Sequence, residues 1–182
     1  MRKALLLLFF LPLLCFGQTA TYFSGDGSAN FGKYLSYTGY SVNLSGSIRL
    51  VEKLYGGLST GVLKVQPFVD KLTVPLSARI TFFTASDETQ IAPFGLFEVG
   101  KLFYSQDNYG NTSSQTMEGR LSFFTGVGVR LTSQQRTHLF FALGYAGYDY
   151  DLVSKTGQNA TASSRPYNFR RIALKIGLML PH

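Results

Sequence analysis

The chain has 182 residues, with 16 Phe, 11 Tyr, 19 Gly, no Trp, a single Cys and a formal net charge of +7. That length suits one domain, and a lone cysteine excludes a disulfide-stapled scaffold. The Lys and Arg residues are scattered one or two per segment, without a basic stripe, so no electrostatic footprint for nucleic acid is present.

The N-terminus reads MRKALLLLFFLPLLCFGQ. Arg2 and Lys3 precede an uncharged stretch, Ala4 to Leu14, of eleven residues. A membrane-spanning helix needs roughly 20 residues, so this pattern predicts a secretory signal peptide over 1–17. Cys15 and Gly17 occupy the −3 and −1 positions of a cut before Gln18. Leu14 stands where a lipoprotein signal wants a small residue, which argues against lipidation of Cys15. The expected mature domain, 18–182, carries a net charge of +5 once Arg2 and Lys3 are removed, and has no cysteine. An exported domain of this size without disulfides must be held together by other means.

Along the mature chain the apolar pattern has period two, and no segment sustains a capped 3.6-residue period. The first segment, "QTATYFSGDGSAN" at 18–30, is expected to hold a strand chiefly because an even strand number requires one, since "SGDGSAN" has a loop-like composition. "GYSVNLSGSIRL" follows, with Tyr40, Val42, Leu44, Ile48 and Leu50 on one face and Ser41, Asn43, Ser45, Ser47 and Arg49 on the other. Seven strands are predicted at 38–50, 54–66, 71–83, 90–104, 118–131, 138–150 and 168–181. The alternation is clean in "LTVPLSARITFF", "RLSFFTGVGVRL" and the last strand, whereas 54–66 and 90–104 carry apolar residues on both faces. Each is about 13 residues long, against a usual 5–6 in soluble proteins, and a membrane β-strand needs about 9–11. The links at 51–53, 84–90 and 132–137 are short and polar. Those at 105–117 and 151–167 are long and rich in Ser, Asn, Gly and Thr, and read as loops. Short turns at one end and long loops at the other are the pattern of an outer-membrane barrel whose turns face the periplasm.

A soluble lipocalin-like carrier and a membrane barrel differ in which face looks inward. Here the polar face is mostly Ser, Thr, Gly, Asn and a few Arg, small enough to fill a narrow eight-stranded lumen. The other face is Leu, Ile, Val and Phe, nearly free of charge. Aromatic residues gather near strand ends at Tyr37 and Tyr40, Phe82 and Phe83, Phe103 and Tyr104, and Tyr148 and Tyr150, as in the girdles of a membrane barrel. The expected fold is therefore all-β: an antiparallel up-and-down transmembrane β-barrel of about 8 strands with its dry face toward lipid.

The C-terminal "KIGLMLPH" places Lys175, Gly177, Leu180 and His182 in a pattern that resembles the β-signal read by the barrel-assembly machinery. The family pattern ends in an aromatic residue, where this chain has His182. The mature chain, above all "KLTVPLSARITFF" followed by "APFGLFEVGKLF", resembles the small outer-membrane barrel domains common in Bacteroidota and related to the OmpA-type, porin-like barrel. The resemblance covers the barrel alone, with no peptidoglycan-binding domain expected after it. It implies an outer-membrane location in a Gram-negative bacterium and contact with outer-membrane lipids, and it assigns no activity.

By alternation the lumen-facing charges are Arg49, Arg79, Glu98, Arg120, Arg130, Arg171 and Lys175. Buried charges must pair, so cations are expected to converge on Glu98, the one acid of that set. Hairpin counting offsets Arg79 from it by roughly 10 Å at 3.4 Å per residue. No cofactor or metal site is expected, because the mature chain lacks Cys and paired His. An outer-leaflet enzyme would need His beside Ser or Asp; His138 and His182 both fall at the turn end, and Asp149 and Asp151 read as a solvated strand end. The expected role is structural, or surface interaction with an extracellular partner through 105–117 and 151–167. The alternatives are a narrow pore lined by Arg and the soluble carrier.

Overall fold

A strand that is dry on one face satisfies its backbone only through its edges, so a row of such strands is stable when every edge is paired. The computed structural model describes residues 21–32, 38–65, 72–86, 89–103, 105–109, 113–133, 137–156 and 161–181. The expectations for the signal segment 1–17, for Tyr37 and Tyr104, and for His182 lie outside these residues. Nine strand segments are described: β1 (Thr21–Phe31), β2 (Thr38–Val51), β3 (Leu54–Val65), β4 (Val74–Phe83), β5 (Ile91–Phe103), β6 (Ser105–Tyr109), β7 (Ser113–Thr132), β8 (His138–Thr156) and β9 (Thr161–Pro181). Every pairing is antiparallel. Neighbours in sequence are neighbours in space, β5 and its continuation β6 both pair with β7, and β1 pairs with β9 to close the ring. The result is an up-and-down barrel of eight staves, with β5 and β6 forming one.

The turns at 52–53, 84–90 and 132–137 share one end with Thr21 and Pro181. At this end the hairpin β4–β5 is staggered. Phe83 pairs with Phe94 and the Thr84 amide donates to the Pro93 carbonyl, while Ile91 and Ala92 pair only with β7. That stagger corrects the expected offset, for Arg79 stands directly opposite Glu98. Counting from strand ends assumes square-cut strands, whereas closing a barrel requires a shear between them.

The opposite end corrects the reading of 105–117 and 151–167 as loops. The β8–β9 ladder runs without interruption from His138↔Met179 to Thr156↔Thr161, and β6 pairs with β7 from Ser105↔Glu118 to Tyr109↔Ser114. Pairing of β9 with β1 stops at Ile172↔Phe31, so two hairpins rise past the barrel as a wall. Ser163 to Pro166 of β9 are all exposed in succession, and strand wetted on both faces has no reason to alternate in polarity, so its composition resembles loop.

Alternation sorts the faces inside out relative to a soluble protein. Val42, Leu44, Leu58, Val127, Leu143 and Ile172 are among many large apolar residues exposed on the outside. Inside, aromatic rings are seated on glycines. A Cβ on Gly128 would lie 2.6 Å from the Phe94 ring and collide with the Phe141 carbonyl; one on Gly177 would lie 2.6 Å from Phe140. Gly126 and Gly144 make the same room for Phe124. By contrast Gly95, on the outer face, has nothing within 4 Å of its missing Cβ. Gly128→Ala should therefore destabilise the barrel by about 1–3 kcal/mol through overpacking, while Gly95→Ala should be nearly neutral. Urea titration of the folded band in unheated gels measures both.

Candidate functional site

The lumen is where this fold gathers polar side chains, and it is built in three layers. The middle layer draws on four staves. Arg79 of β4 and Glu98 of β5 are cross-strand partners, Lys175 projects from β9, and Asp26 projects from β1. Lys175 Nζ donates to Glu98 Oε2 at 2.5 Å and lies 3.8 Å from Asp26 Oδ1. Arg79 Nη1 donates to Asp26 Oδ2 at 3.3 Å and to Ser45 Oγ at 2.5 Å, and its Nε lies 3.5 Å from Glu98 Oε1. Asn43 donates to Asp26 Oδ1 at 2.9 Å. Two acids and two bases thus neutralise one another where desolvation is costly; Arg79 is 2 % exposed and Lys175 4 %. Ring faces help hold the cations, with Lys175 Nζ 4.5 Å from the Phe124 centroid and the Arg79 guanidinium 5.9 Å from that of Phe140.

Below this, toward the turns, lies an aromatic floor. Tyr22, Tyr55, Phe83, Phe94 and Phe140 are buried in mutual contact, from Tyr22–Tyr55 at 4.7 Å to Phe94–Phe140 at 5.9 Å between centroids. Arg130 stacks 4.5 Å over Phe83 and donates to the Ser86 carbonyl at 2.9 Å. His138 is buried beside Tyr22, 6.0 Å between rings.

Above the charges is a lid. Tyr148 OH donates to Asn30 Oδ1 at 3.2 Å, and the Tyr150 hydroxyl reaches across the barrel to Thr73 Oγ1 at 3.3 Å. Leu63, Val65 and Leu102 fill the space beside them, and the Arg171 guanidinium sits 5.8 Å over Phe169. Between lid and charges remains a cavity of about 40 Å³, lined by Ser41, Asn43, Ser59, Ser77, Ser122 and Glu98 among others. Ser122 Oγ is buried there without a hydrogen-bond partner among the described residues. Such a polar space suits ordered water.

The expected lumenal set therefore divides. Arg79, Glu98 and Lys175 meet in the middle layer, Arg130 stands in the floor and Arg171 in the lid. Arg49 is exposed at the turn end, its Nε donating to Tyr55 OH at 3.0 Å. Arg120 is on the outer face, a correction caused by a β-bulge between Gly119 and Ser122. Two residues there oppose one on β8, so Arg120 and Leu121 both turn outward, and the Arg120 side chain is 61 % exposed. Three aromatic residues assigned to the outer girdles, Phe83, Tyr148 and Tyr150, are also corrected: they are buried in the lumen, while Tyr40, Phe82 and Phe103 are exposed outside. Of the C-terminal signal, Lys175 and Gly177 face inward and Leu180 outward.

Asp26 was missed by sequence reasoning because "SGDGSAN" has loop composition. A signal was present nonetheless. Ser24, Asp26, Ser28 and Asn30 alternate with Gly25, Gly27 and Ala29, and the polar set faces the lumen. Asp149 and Asp151 lie on the outer face, paired with Arg170 at 2.5 Å and Arg120 at 3.3 Å. They are at the opposite end of the barrel from His138. Among the described residues no group of three His, Cys, Asp or Glu is placed to hold a metal ion.

No protein-family model matches this chain, and no curated protein matches it. Its fold is similar to solved outer-membrane barrels. The outer membrane protein OprG from Pseudomonas aeruginosa superposes with a TM-score of 0.64 at 10 % identity, over 90 % of this chain and 96 % of that one. Neisserial surface protein A gives 0.57 at 18 % identity, over 90 % and 99 %. The N-terminal β-barrel domain of Pseudomonas aeruginosa OprF gives 0.52 at 13 %, over 90 % and 98 %.

The charge layer sets a double-mutant test. Lys175→Met alone leaves Asp26 and Glu98 sharing one cation, and should cost about 3–5 kcal/mol, as removing one partner of a buried pair does. Lys175→Met combined with Glu98→Leu restores neutrality around Asp26 and Arg79. The double variant should be more stable than the single one in urea titrations of the folded barrel.

Proposed function

We propose that this chain is an integral outer-membrane β-barrel of a Gram-negative bacterium, non-catalytic and non-conducting, whose role is structural or is exercised through the wall of hairpins β6–β7 and β8–β9. One observation carries the reading: a closed ladder with an apolar exterior surrounds a lumen filled at three levels. Water would not tolerate so many exposed Leu, Val, Ile and Phe side chains, whereas the hydrocarbon of a bilayer would. A soluble carrier needs the reverse sorting, with its apolar face around a ligand cavity. The cavity here, about 40 Å³ and lined by serines, Glu98 and Lys175 as well as Leu63 and Phe124, holds water-sized contents at most.

Export by residues 1–17, delivery to the barrel-assembly machinery through the C-terminal strand, and an extracellular partner for the wall are parts of this proposal. The likeness to OprG, Neisserial surface protein A and the OprF barrel supports it at the level of fold; the OmpA-type and Bacteroidota affinity rests on the sequence features alone. A narrow pore is the second reading. It is favoured by the serine-lined cavity and by Arg130 and Arg171, two interior cations beyond the balanced four.

Boiled and unboiled samples of the outer-membrane fraction should show two mobilities on a detergent gel. A single band confined to the soluble periplasm would sink the membrane reading. In planar bilayers the folded protein should give no discrete conductance steps, because the floor of five rings blocks the lumen. Steps that change amplitude in Arg130→Gln would establish the pore instead.

A further inference from the structure

Among the described residues, charge at outward-facing strand positions lies at one end of the barrel; at the turn end Arg49 is exposed on the lumenal row, Glu52 is exposed in the turn, and Lys53 donates to the Thr84 carbonyl. Near the turns, the outward strand positions Leu50, Leu54, Phe82, Ile91, Leu131 and Leu180 are all apolar and exposed or half-buried. Toward the other end, four of the eight staves carry a cation in their outward row. On β3 the row through Leu58 and Val62 reaches Lys64, and on β5 the row through Phe97 and Val99 reaches Lys101. On β7, Phe123 and Leu121 give way to Arg120, and on β9, Leu174 and Ile172 give way to Arg170. β5 and β7 are neighbouring staves, β4 separates β3 from β5 and β8 separates β7 from β9, so the cations follow the rim from β3 round to β9 and leave β1 and β2 without one. Arg120 joins them only because the bulge turns it outward.

The heads are held against the apolar belt. Lys101 Nζ lies 5.7 Å over Phe103, and the Arg170 guanidinium 5.3 Å over Phe123. Lys64 stands directly across from the exposed Tyr40. On β8, between the two arginines, Asp149 and Asp151 accept one bond each from Arg170 and Arg120. A guanidinium has five donors in a planar fork, so one exposed carboxylate fixes its direction and leaves donors for a second anion. Glu118, exposed directly across from Asp151, is a third acid, so four cations stand against three carboxylates at this rim.

We infer that this collar binds the phosphate groups of glycolipids in the outer leaflet. The inference rests on the outer-membrane reading above, which puts the hairpin end outside. Cations at the rim of an apolar belt meet lipid headgroups, and Arg and Lys are the residues that recognise phosphate there. The absence of cations from outward strand positions at the turn end, among the described residues, fits a bilayer whose two leaflets differ in headgroup charge.

The test uses the full chain folded into phosphatidylcholine nanodiscs containing trace bisphosphorylated lipid A, or its dephosphorylated form. Lipid co-purifying with the barrel is measured by mass spectrometry after detergent release. The phosphorylated form should be retained on the order of tenfold better, and Lys64→Gln/Lys101→Gln/Arg120→Gln/Arg170→Gln should retain both equally while still folding. Excess inorganic phosphate should not displace the lipid, since acyl chains hold it beside the belt. Equal retention of the two forms by the native chain, or undiminished preference in the fourfold variant, would overturn the collar while leaving the membrane reading intact. Failure of the native chain to enter any nanodisc would overturn the membrane reading and the collar with it.

Discussion

Every backbone amide of a sheet immersed in hydrocarbon has to find its partner within the sheet, because lipid offers none. Closure of β1 onto β9 meets that condition by removing the two edges an open eight-stranded sheet would leave. The rest of the architecture follows from it. A closed ring of alternating strands has an inside and an outside; with the apolar half of every strand outside, the polar half is forced into a lumen too narrow to stay open.

A filled lumen has its own difficulty. Polar side chains from eight staves converge where water is scarce, and each charge must be matched. The middle layer solves this with Asp26, Arg79, Glu98 and Lys175, contributed by four strands far apart in sequence. Aromatic layers on either side shield that cluster, and the glycines of β7, β8 and β9 give the rings their room. The Glu98–Lys175 pair and the Tyr150–Thr73 contact cross the barrel from one wall to the other. Interior packing and wall closure therefore stabilise each other.

The outer surface is organised by depth. Apolar rows run along the staves without charge until the hairpin end, where cations and the carboxylates of Glu118, Asp149 and Asp151 appear together with exposed aromatics. Past that level the ladder continues in the two hairpins. The boundary of the apolar rows thus also marks where sequence alternation stops carrying information.

Sequence by itself determined the strand positions within the apolar belt, the inward or outward sense of almost every residue on them, and hence a barrel with its dry face out. It could do so because side-chain direction in a strand has a strict period of two, which survives any change of register. The first strand was expected only because an even strand number requires one, and its alternation of Ser24, Asp26, Ser28 and Asn30 went unread behind a loop-like composition. Tertiary structure alone decided what depends on register and shear: that Arg79 faces Glu98, that Asp26 joins them, and that Phe83, Tyr148 and Tyr150 fill the lumen rather than gird it. It also decided the fate of Arg120, because one extra residue in a bulge reverses a side chain without leaving a mark in the polarity pattern. These are relations between strands distant in sequence, fixed by how the ring closes, and a one-dimensional period cannot encode them.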